Sequence, residues 1–263
     1  MTIMLPSREN PMLLFGCGNM GGAMLAGWLK GGFSPDAFVV VDPIAKGLPV
    51  ATYADAGQVE QTFSLALLAI KPQLFTDAAG DFARLLTPDA LVISILAGTR
   101  LEQLQLAFPG RRLVRLMPNL AAALGKSPLG LFPKMDGLEP LLTPLGKPVW
   151  LSDEGQMDTV TALGGSGPAF VYRFIEALSE AGAKLGLPPE QAQTLAIAMV
   201  DGAAQLAATS DIKPAELARR VTSPGGTTAA GLAILDDDDA LKRLIDATLK
   251  AARDRGVELS QGG

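Results

Sequence analysis

The chain opens with alternating short apolar segments and glycine turns. Residues Met12–Phe15 are all apolar and stop at Gly16, which is typical of a buried β-strand. Beyond the glycines, apolar residues recur at helical spacing from Met20 to Leu29, and the pair Gly31-Gly32 ends that pattern. This first segment therefore predicts a strand, a glycine turn and a helix.

The same kind of pattern separates the chain into two halves. In the first half, short runs of near-continuous apolar character predict parallel strands covered on both faces. They are Phe38–Val41, Leu65–Ile70, Leu91–Leu96, Arg112–Met117 and Val149–Leu151. In the second half, helix-compatible segments cover 155–163, 168–186, 189–209, 214–222, 227–235 and 238–257. We therefore predict an α/β domain over residues 1–152 and an all-α helical domain over residues 153–263.

Composition and charge exclude several classes of protein. Hydrophobic residues make up 48% of the chain and charged residues 19%, which is typical of a folded protein and not of a disordered one. The net charge of -5 lacks the positive field that drives binding to nucleic acids or anionic membranes, so we expect neither partner. Glycine and asparagine interrupt the uncharged stretch from Asn10 to Leu29, so we expect a cytoplasmic protein without a membrane span.

The sequence contains no histidine, which removes the commonest general acid and base near neutral pH and the commonest metal ligand. Hydrolases with a Ser-His-Asp triad, His-dependent dehydrogenases and His-ligated zinc enzymes are therefore excluded. The single cysteine, Cys17, permits neither an intramolecular disulfide nor a cysteine-built metal site, and we predict no bound metal.

A glycine-rich motif, Gly16-Cys17-Gly18-Asn19-Met20-Gly21, closes the first predicted strand and opens the first helix. Gly16 allows a tight turn, Gly18 lets a pyrophosphate approach the backbone, and Gly21 permits close packing of helix and strand. An acidic residue, Asp42, ends the second strand at the spacing expected for a ribose ligand. We therefore predict dinucleotide binding by Gly16, Gly18, Asn19, Met20, Gly21 and Asp42.

A nicotinamide-dependent enzyme without histidine needs another source for the proton that accompanies hydride transfer. Several 3-hydroxyacid dehydrogenases use a lysine that follows a glycine pair, but after Gly165-Ser166-Gly167 the corresponding position is Val171. An imine of near-neutral pKa can instead be protonated from solvent before it is reduced. The sequence therefore favours an imine over a ketone as substrate.

A second loop, Ser223-Pro224-Gly225-Gly226-Thr227-Thr228, lies between two predicted helices. Its glycine pair followed by hydroxyl groups at a helix start offers backbone N–H and O–H donors, which is an arrangement suited to a carboxylate. An ordinary helix-to-helix turn with Thr227 as its cap is the alternative interpretation, and the residues alone leave both open.

Several ordered motifs together resemble the pyrroline-5-carboxylate reductase family, from about Met12 to Leu259. The strongest is Pro214–Asp236, with further elements at 69–73, 94–98, 117–119 and 161–169. The resemblance implies a Rossmann domain followed by a helical dimerisation domain that interlocks with a second subunit. It also implies reduction of 1-pyrroline-5-carboxylate to L-proline by NAD(P)H, the last step of proline biosynthesis, at a site between the cofactor and the SPGGTT loop.

The resemblance also implies a role for individual residues. Ser223, Gly225, Gly226 and Thr227 would hold the substrate carboxylate, and Thr228 would direct its hydroxyl at the ring nitrogen as the catalytic residue. The nicotinamide side would be lined, mostly through backbone atoms, by Ala69, Lys71, Pro72, Ala97, Pro118 and Asn119. Leu120-Ala121 replaces the Thr-Pro that is common in the family. A related cyclic imine carboxylate therefore stays open as substrate, as does a non-catalytic dinucleotide-binding regulatory module.

Two further expectations concern assembly and the choice of cofactor. The helices after Asp153 carry more apolar surface than a single buried face needs, so we predict a homodimer or a higher homo-oligomer. Asp42 accepts hydrogen bonds from ribose hydroxyls and repels the extra phosphate of NADP, with Lys46 as the only nearby cation in the sequence. We therefore expect NADH or NADPH as cofactor, with NADH favoured.

Overall fold

The computed structural model describes residues 3–261, with side chains up to residue 258. Its centre is an eight-stranded sheet with the order β3-β2-β1-β4-β5-β6-β7-β8. The strands are β1 (Met12–Phe15), β2 (Phe38–Val41), β3 (Ala51–Tyr53), β4 (Phe63–Leu68), β5 (Leu86–Ser94), β6 (Arg112–Met117), β7 (Ser127–Phe132) and β8 (Gly146–Trp150).

The six neighbouring strands β3, β2, β1, β4, β5 and β6 are all parallel. Successive strands are added on one side of β1 up to β3, and the order then reverses so that β4 pairs with the other side of β1. This is the doubly wound arrangement of a Rossmann fold, so the predicted Rossmann-type α/β domain is confirmed. At the far edge, β7 runs antiparallel to β6 and pairs in parallel with β8. Ligands of such sheets bind at the carboxyl ends of the strands, where the strand order reverses.

Ten α-helices accompany the sheet in the described part of the chain. They are α1 (Asn19–Lys30), α2 (Phe75–Arg84), α3 (Leu101–Ala107), α4 (Glu139–Leu142), α5 (Gln156–Val160), α6 (Gly167–Lys184), α7 (Pro189–Thr209), α8 (Pro214–Arg220), α9 (Thr227–Asp236) and α10 (Ala240–Gln261). None of them is long and apolar enough to cross a membrane, within residues 3–261. After β8 the described chain is helical, as predicted.

Side chains of β1 alternate between two separate apolar cores, one on each face of the sheet. Met12 and Leu14 belong to the core that includes Trp28 of α1. Leu13 and Phe15 belong to the opposite core, which includes Phe82 of α2. This period-2 alternation, with both faces buried, explains why the strand sequences are apolar without interruption.

The chain divides into two compact units. The first comprises the described residues up to Gly165 and those from Ala252 onward, and the second comprises Ser166–Ala251. The predicted boundary near residue 152 corresponds to the end of the sheet, and as a division into functional domains it stays a prediction. The residues between these two positions form α5 and a π-helical segment, Thr161–Gly165, where the sequence had predicted one α-helix over 155–163.

Several elements were not predicted from the sequence. They include β3, β7, α2 and α3. Strand β7 contains Pro128 and Gly130, which are residues that usually interrupt a strand pattern. Residues Asp237–Asp239 form a short 3-10 turn before α10, where the sequence predicted a helix starting at residue 238.

Candidate active site

The predicted cofactor residues lie along one edge of the sheet. Each follows the carboxyl end of a parallel strand, and parallel strands end at the same edge. Gly16 follows β1, Asp42 follows β2, Ala69 and Lys71 follow β4, Ala97 follows β5, and Pro118 and Asn119 follow β6. The structure therefore brings residues that are far apart in sequence to the edge where such sheets bind ligands.

The glycine loop has the geometry that a pyrophosphate requires. Gly16 has a φ of +94°, and an added Cβ would lie 2.6 Å from the carbonyl oxygen of Ala69. At Gly21 an added Cβ would lie 2.7 Å from the carbonyl oxygen of Gly16. A Cβ at Gly18, the residue before α1, would meet nothing within 4 Å. Two glycines are thus required by close backbone packing, and the third leaves open space that suits a phosphate group.

Asn19 and Met20 occupy the first positions of α1, as the motif predicted. No side chain caps this helix, and no acidic residue lies in its first turn. The N–H groups at the start of a helix carry partial positive charge and favour an anion. The residues present therefore fit the pyrophosphate of a dinucleotide.

Hydrogen bonds from the backbone hold the carboxylate of Asp42 in place. Its Oδ2 accepts from the N–H of Cys17 at 2.7 Å, and its Oδ1 accepts from Ile44 and Ala45 at 2.8 and 3.0 Å. These bonds connect the turn after β2 directly to the glycine loop. Asp42 therefore has a defined orientation before any ligand is bound.

The thiol of Cys17 lies in the glycine loop beside this carboxylate. Burial, followed by the negative charge of Asp42, raises the pKa of Cys17 to about 11. Because the thiolate is the reactive form, this thiol is a poor nucleophile near neutral pH.

A cavity of about 520 Å³ adjoins the glycine loop. It brings together Gly16, Gly18, Asp42, Ala69 and Lys71 from the predicted set. Part of the lining was not predicted from the sequence, because it comes from the residues that follow β3 and from α2 and the turn before it. Its residues include Ala54, Asp55, Ala56, Leu74, Asp77, Ala78 and Asp81. The helical spacing of Phe75, Ala79 and Phe82 is the sequence signal that indicates α2.

After β6, at the same edge of the sheet, the side chain of Asn119 forms hydrogen bonds within the protein. Its Oδ1 accepts from the N–H of Ala121 at 2.9 Å, and its Nδ2 donates to the carbonyl of Gly164 at 2.9 Å. Its own N–H donates to the hydroxyl of Ser127 at 2.8 Å. Its backbone carbonyl accepts from the N–H of Ala122 at 3.0 Å. Asn119 therefore joins the loop after β6 to the π-helical segment.

An ion pair near this edge, with a buried arginine, was not predicted from the sequence. Arg115 of β6 is 4% exposed, and its guanidinium donates to Glu154 at 2.8 Å. The same carboxylate oxygen accepts from the N–H of Leu101 at 2.7 Å, at the start of α3. Glu154 thereby connects the sheet to the loop that follows β5.

The SPGGTT loop lies in the second compact unit, between α8 and α9. Gly225 has a φ of +69°, and Gly226 directly precedes α9 with no side chain capping the helix. Thr227 and Thr228 are the first two residues of α9, and both are exposed. Among the described contacts, no protein group accepts from the N–H of either threonine or pairs with the hydroxyl of Thr228. The loop therefore presents donors at the positive end of a helix, as an anion site requires.

The predicted cap of this turn, Thr227, is wrong, because Gly226 occupies the capping position of α9. Within the described residues there is no group of three or more His, Cys, Asp or Glu side chains arranged to hold a metal ion.

The fold and the loop at its carboxyl edge define the class of protein: a Rossmann-type oxidoreductase that uses NAD(P)H. Residues 154–259 match the family model described as pyrroline-5-carboxylate reductase dimerisation. The chain belongs to the pyrroline-5-carboxylate reductase family. As a member of a family with a dimerisation region, it is a homo-oligomer.

The sequences of several pyrroline-5-carboxylate reductases align with nearly the whole chain. The pyrroline-5-carboxylate reductase of Pseudomonas aeruginosa is 34% identical, with 96% of this chain and 98% of the relative covered. That of Pisum sativum is also 34% identical, over 93% of this chain and 94% of the relative.

Solved structures give the same result for the fold. A pyrroline-5-carboxylate reductase from Coxiella burnetii superposes with a TM-score of 0.86 at 30% identity, covering 95% of this chain and 98% of that one. The Plasmodium falciparum pyrroline carboxylate reductase, solved with NADP bound, has a TM-score of 0.84 at 23% identity, over 98% and 100% of the two chains.

Proposed function

We propose that this protein reduces 1-pyrroline-5-carboxylate to L-proline with NAD(P)H, in the last step of proline biosynthesis. The observation that carries the proposal is identity of about a third over almost the full length to relatives named for this reaction. The cofactor edge and the donor-lined SPGGTT loop supply the two binding functions that the reaction needs. For an enzyme with this biosynthetic role we predict a cytoplasmic location.

The substrate carboxylate is assigned to the start of α9. Ser223, Gly225, Gly226 and Thr227 would hold it through backbone N–H groups and hydroxyls. The uncapped helix terminus supports this assignment, because a carboxylate there is favoured by typically about 0.3–1 kcal/mol at an exposed position. Gly225 supports it as well, since its left-handed conformation turns the chain into the helix at low cost.

The proton for the ring nitrogen is assigned to solvent or to the substrate itself. The sequence contains no histidine, and Val171 stands where a lysine would serve a hydroxyacid dehydrogenase. Thr228 is the exposed hydroxyl in this loop that we assign to the ring nitrogen, with a hydrogen bond that orients the imine. The bound cofactor supplies the hydride.

The nicotinamide side is assigned to Ala69, Lys71, Pro72, Ala97, Pro118 and Asn119. Lys71 and Pro72 are exposed after β4, and Ala97 is exposed after β5. Pro118 and Asn119 are buried, and the side chain of Asn119 is already hydrogen-bonded. These two residues would therefore contribute through backbone atoms.

NADH is the proposed preferred cofactor, because the carboxylate of Asp42 is fixed by three backbone N–H groups at the end of β2. A fixed carboxylate binds ribose hydroxyls well and repels a phosphate in the same place. The substitution Asp42→Ser should narrow or reverse the preference. Measuring kcat/KM for both cofactors in the two proteins decides this, and a wild-type enzyme that clearly favours NADPH would contradict the assignment.

The functional domains are proposed as residues 1–152 for the dinucleotide and 153–263 for substrate binding and dimerisation. The start of the dimerisation family model at residue 154 supports this division. A homodimer, with further assembly of dimers as the larger alternative, is the proposed oligomer.

The test of the function is the oxidation of NAD(P)H with the five-membered imine acid and with its six-membered homologue. Turnover of the five-membered substrate is expected. Preference for the larger ring would indicate the related cyclic imine reductase, and no turnover despite cofactor binding would indicate a regulatory module.

Within this assay, Thr228→Ala should lower kcat by roughly 10- to 1000-fold, the range for a positioned hydrogen bond or proton-transfer aid. Thr228→Ser keeps the hydroxyl and should restore most of the rate. Thr194→Ala, which removes an exposed hydroxyl of α7, is the matched control. Unchanged kinetics in Thr228→Ala would remove this residue from the mechanism.

A further inference from the structure

The cavity beside the glycine loop is the adenosine half of the proposed cofactor site. It is lined by the ends of β1, β2 and β4 and by the residues after β3, whereas Ala97, Pro118 and Asn119 on the nicotinamide side do not line it. Strand order explains this separation, because β2 and β3 lie on one side of β1, and β5 and β6 lie beyond β4.

The lining of this cavity carries an excess of negative charge. Besides Asp42 it includes Asp55 near β3 and two residues of α2, Asp77 and Asp81. Lys71 is the single cation among the described lining residues, and Lys46 is not part of the lining.

In the described structure the two carboxylates of α2 are not held by hydrogen bonds, although Asp77 also lies in the first turn, at the positive end of the helix. They are four residues apart, so they lie on the same face of the helix. Both are exposed, and no described hydrogen bond or ion pair involves their side chains. In contrast, Asp42 and Asp55 accept hydrogen bonds from the backbone.

We propose that Asp77 and Asp81 of α2 act with Asp42 as specificity-determining residues that exclude a 2′-phosphate from the adenosine end of the cofactor. NADH presents two neutral ribose hydroxyls there, whereas NADPH presents additional negative charge. The proposal rests on the proposed use of a nicotinamide cofactor. It adds two carboxylates of the same cavity to the one, Asp42, that was assigned to cofactor selectivity. Because both side chains are exposed to solvent, each should change the preference by only about two- to five-fold.

The experiment measures binding without turnover. Isothermal titration gives the dissociation constants of adenosine 2′,5′-bisphosphate and of 5′-AMP for the wild type and for D77N/D81N. The control is D36N/E102Q, which also removes two exposed negative charges but outside the cavity lining. In D77N/D81N the ratio of the two constants should shift toward the bisphosphate by about 4- to 25-fold, and in the control by less than two-fold.

Ionic strength provides a second readout. The wild-type discrimination against the 2′-phosphate should weaken as salt shortens the Debye length from ~30 Å at 0.01 M to ~3 Å at 1 M. D77N/D81N should show a weaker salt dependence than the wild type.

Equal ratios in D77N/D81N and the wild type, an equal shift in the control, or a wild type that binds the bisphosphate better would overturn the proposal. The binding ratio is independent of imine reduction. A shifted ratio in a protein without reductase activity would therefore overturn the proposed function alone.

Discussion

The sheet-containing unit and the helical unit differ in how completely they bury their own apolar side chains. The first contains two extensive cores, one on each face of the sheet, with many side chains fully removed from solvent. In the described part of the second, Ala192 and Ala196 are the buried apolar residues. Helices α6, α8 and α9 have no buried residue at all.

This difference indicates that the helical unit does not complete its core within one chain. Large apolar side chains of α6 and α7 stay accessible, with Tyr172 68%, Phe174 47% and Leu206 69% exposed. Burying one such side chain fully contributes about 1.5–3 kcal/mol. Many large apolar side chains left exposed on one unit indicate an interface, and the dimerisation family model covers the same region.

The largest expected effect comes from a charge placed on this helical surface. Ile197 is 48% exposed and lines a groove between α6 and α7. Ile197→Asp should dissociate the oligomer and abolish most activity, because a carboxylate cannot be buried in an apolar interface without a partner. Analytical ultracentrifugation and the reductase assay check both outcomes.

The matched control for this experiment lies in the sheet unit. Leu106 of α3 is 80% exposed, so Leu106→Asp should leave both assembly and activity unchanged. If both variants remain oligomeric and active, the comparison between the two units does not reflect an interface on α6 and α7.

The next effect separates two glycines of the same loop. Gly16→Ala should destabilise the protein by about 2–4 kcal/mol, because it combines a φ of +94° with a Cβ 2.6 Å from the carbonyl of Ala69. Gly18→Ala should leave stability within about 0.5 kcal/mol and weaken NADH binding about ten-fold. Urea denaturation and cofactor titration distinguish them. Similar stability losses in both variants would contradict the different roles of the two glycines.

A smaller effect tests the buried ion pair of the sheet unit. Glu154→Gln should cost about 2–3 kcal/mol of unfolding free energy, because the guanidinium of Arg115 would stay buried without its counter-charge. Asp136→Asn, which breaks the exposed pair with Lys134, should cause no measurable change. Thermal or urea unfolding of both variants is the measurement, and equal midpoints would show that the buried pair contributes no more than a surface pair.

The last effect is confined to one side chain, the thiol of Cys17. A thiol with a pKa of about 11 instead of 9 has about a hundred-fold less thiolate at pH 8, so alkylation by iodoacetamide should be slower by that factor than in the unfolded chain. The rate should keep rising with pH above 9. Asp42→Asn should speed it, because the carboxylate is one of the two causes of the raised pKa. Rapid alkylation of the folded wild type at pH 8 would contradict this.

Much of the fold could be predicted from local patterns. The predicted bounds of β1, β2 and β6 agree with the structure, and the glycine loop between β1 and α1 has the expected geometry. The SPGGTT loop also lies between two helices as predicted. In each case the signal is a run of apolar residues or a set of turn residues within a few positions, which depends only on backbone preferences and burial.

The elements that escaped prediction have weak local signals. Strand β3 is three residues long and not buried, and β7 includes a proline and a glycine. Both strands exist because neighbouring strands offer them hydrogen-bonding partners, so tertiary context outweighs propensity.

By itself, the sequence determined the opening strand, glycine turn and helix, the buried parallel strands of the Rossmann half, and the helical character of the second half. Only the tertiary structure decided that Asp42 accepts from the N–H of Cys17, that Arg115 pairs with Glu154, and that two carboxylates of α2 line the cavity beside the glycine loop. The physical reason is range. A hydrophobic pattern reports whether each residue is buried, whereas these contacts join residues distant in the chain that meet only after the sheet has assembled.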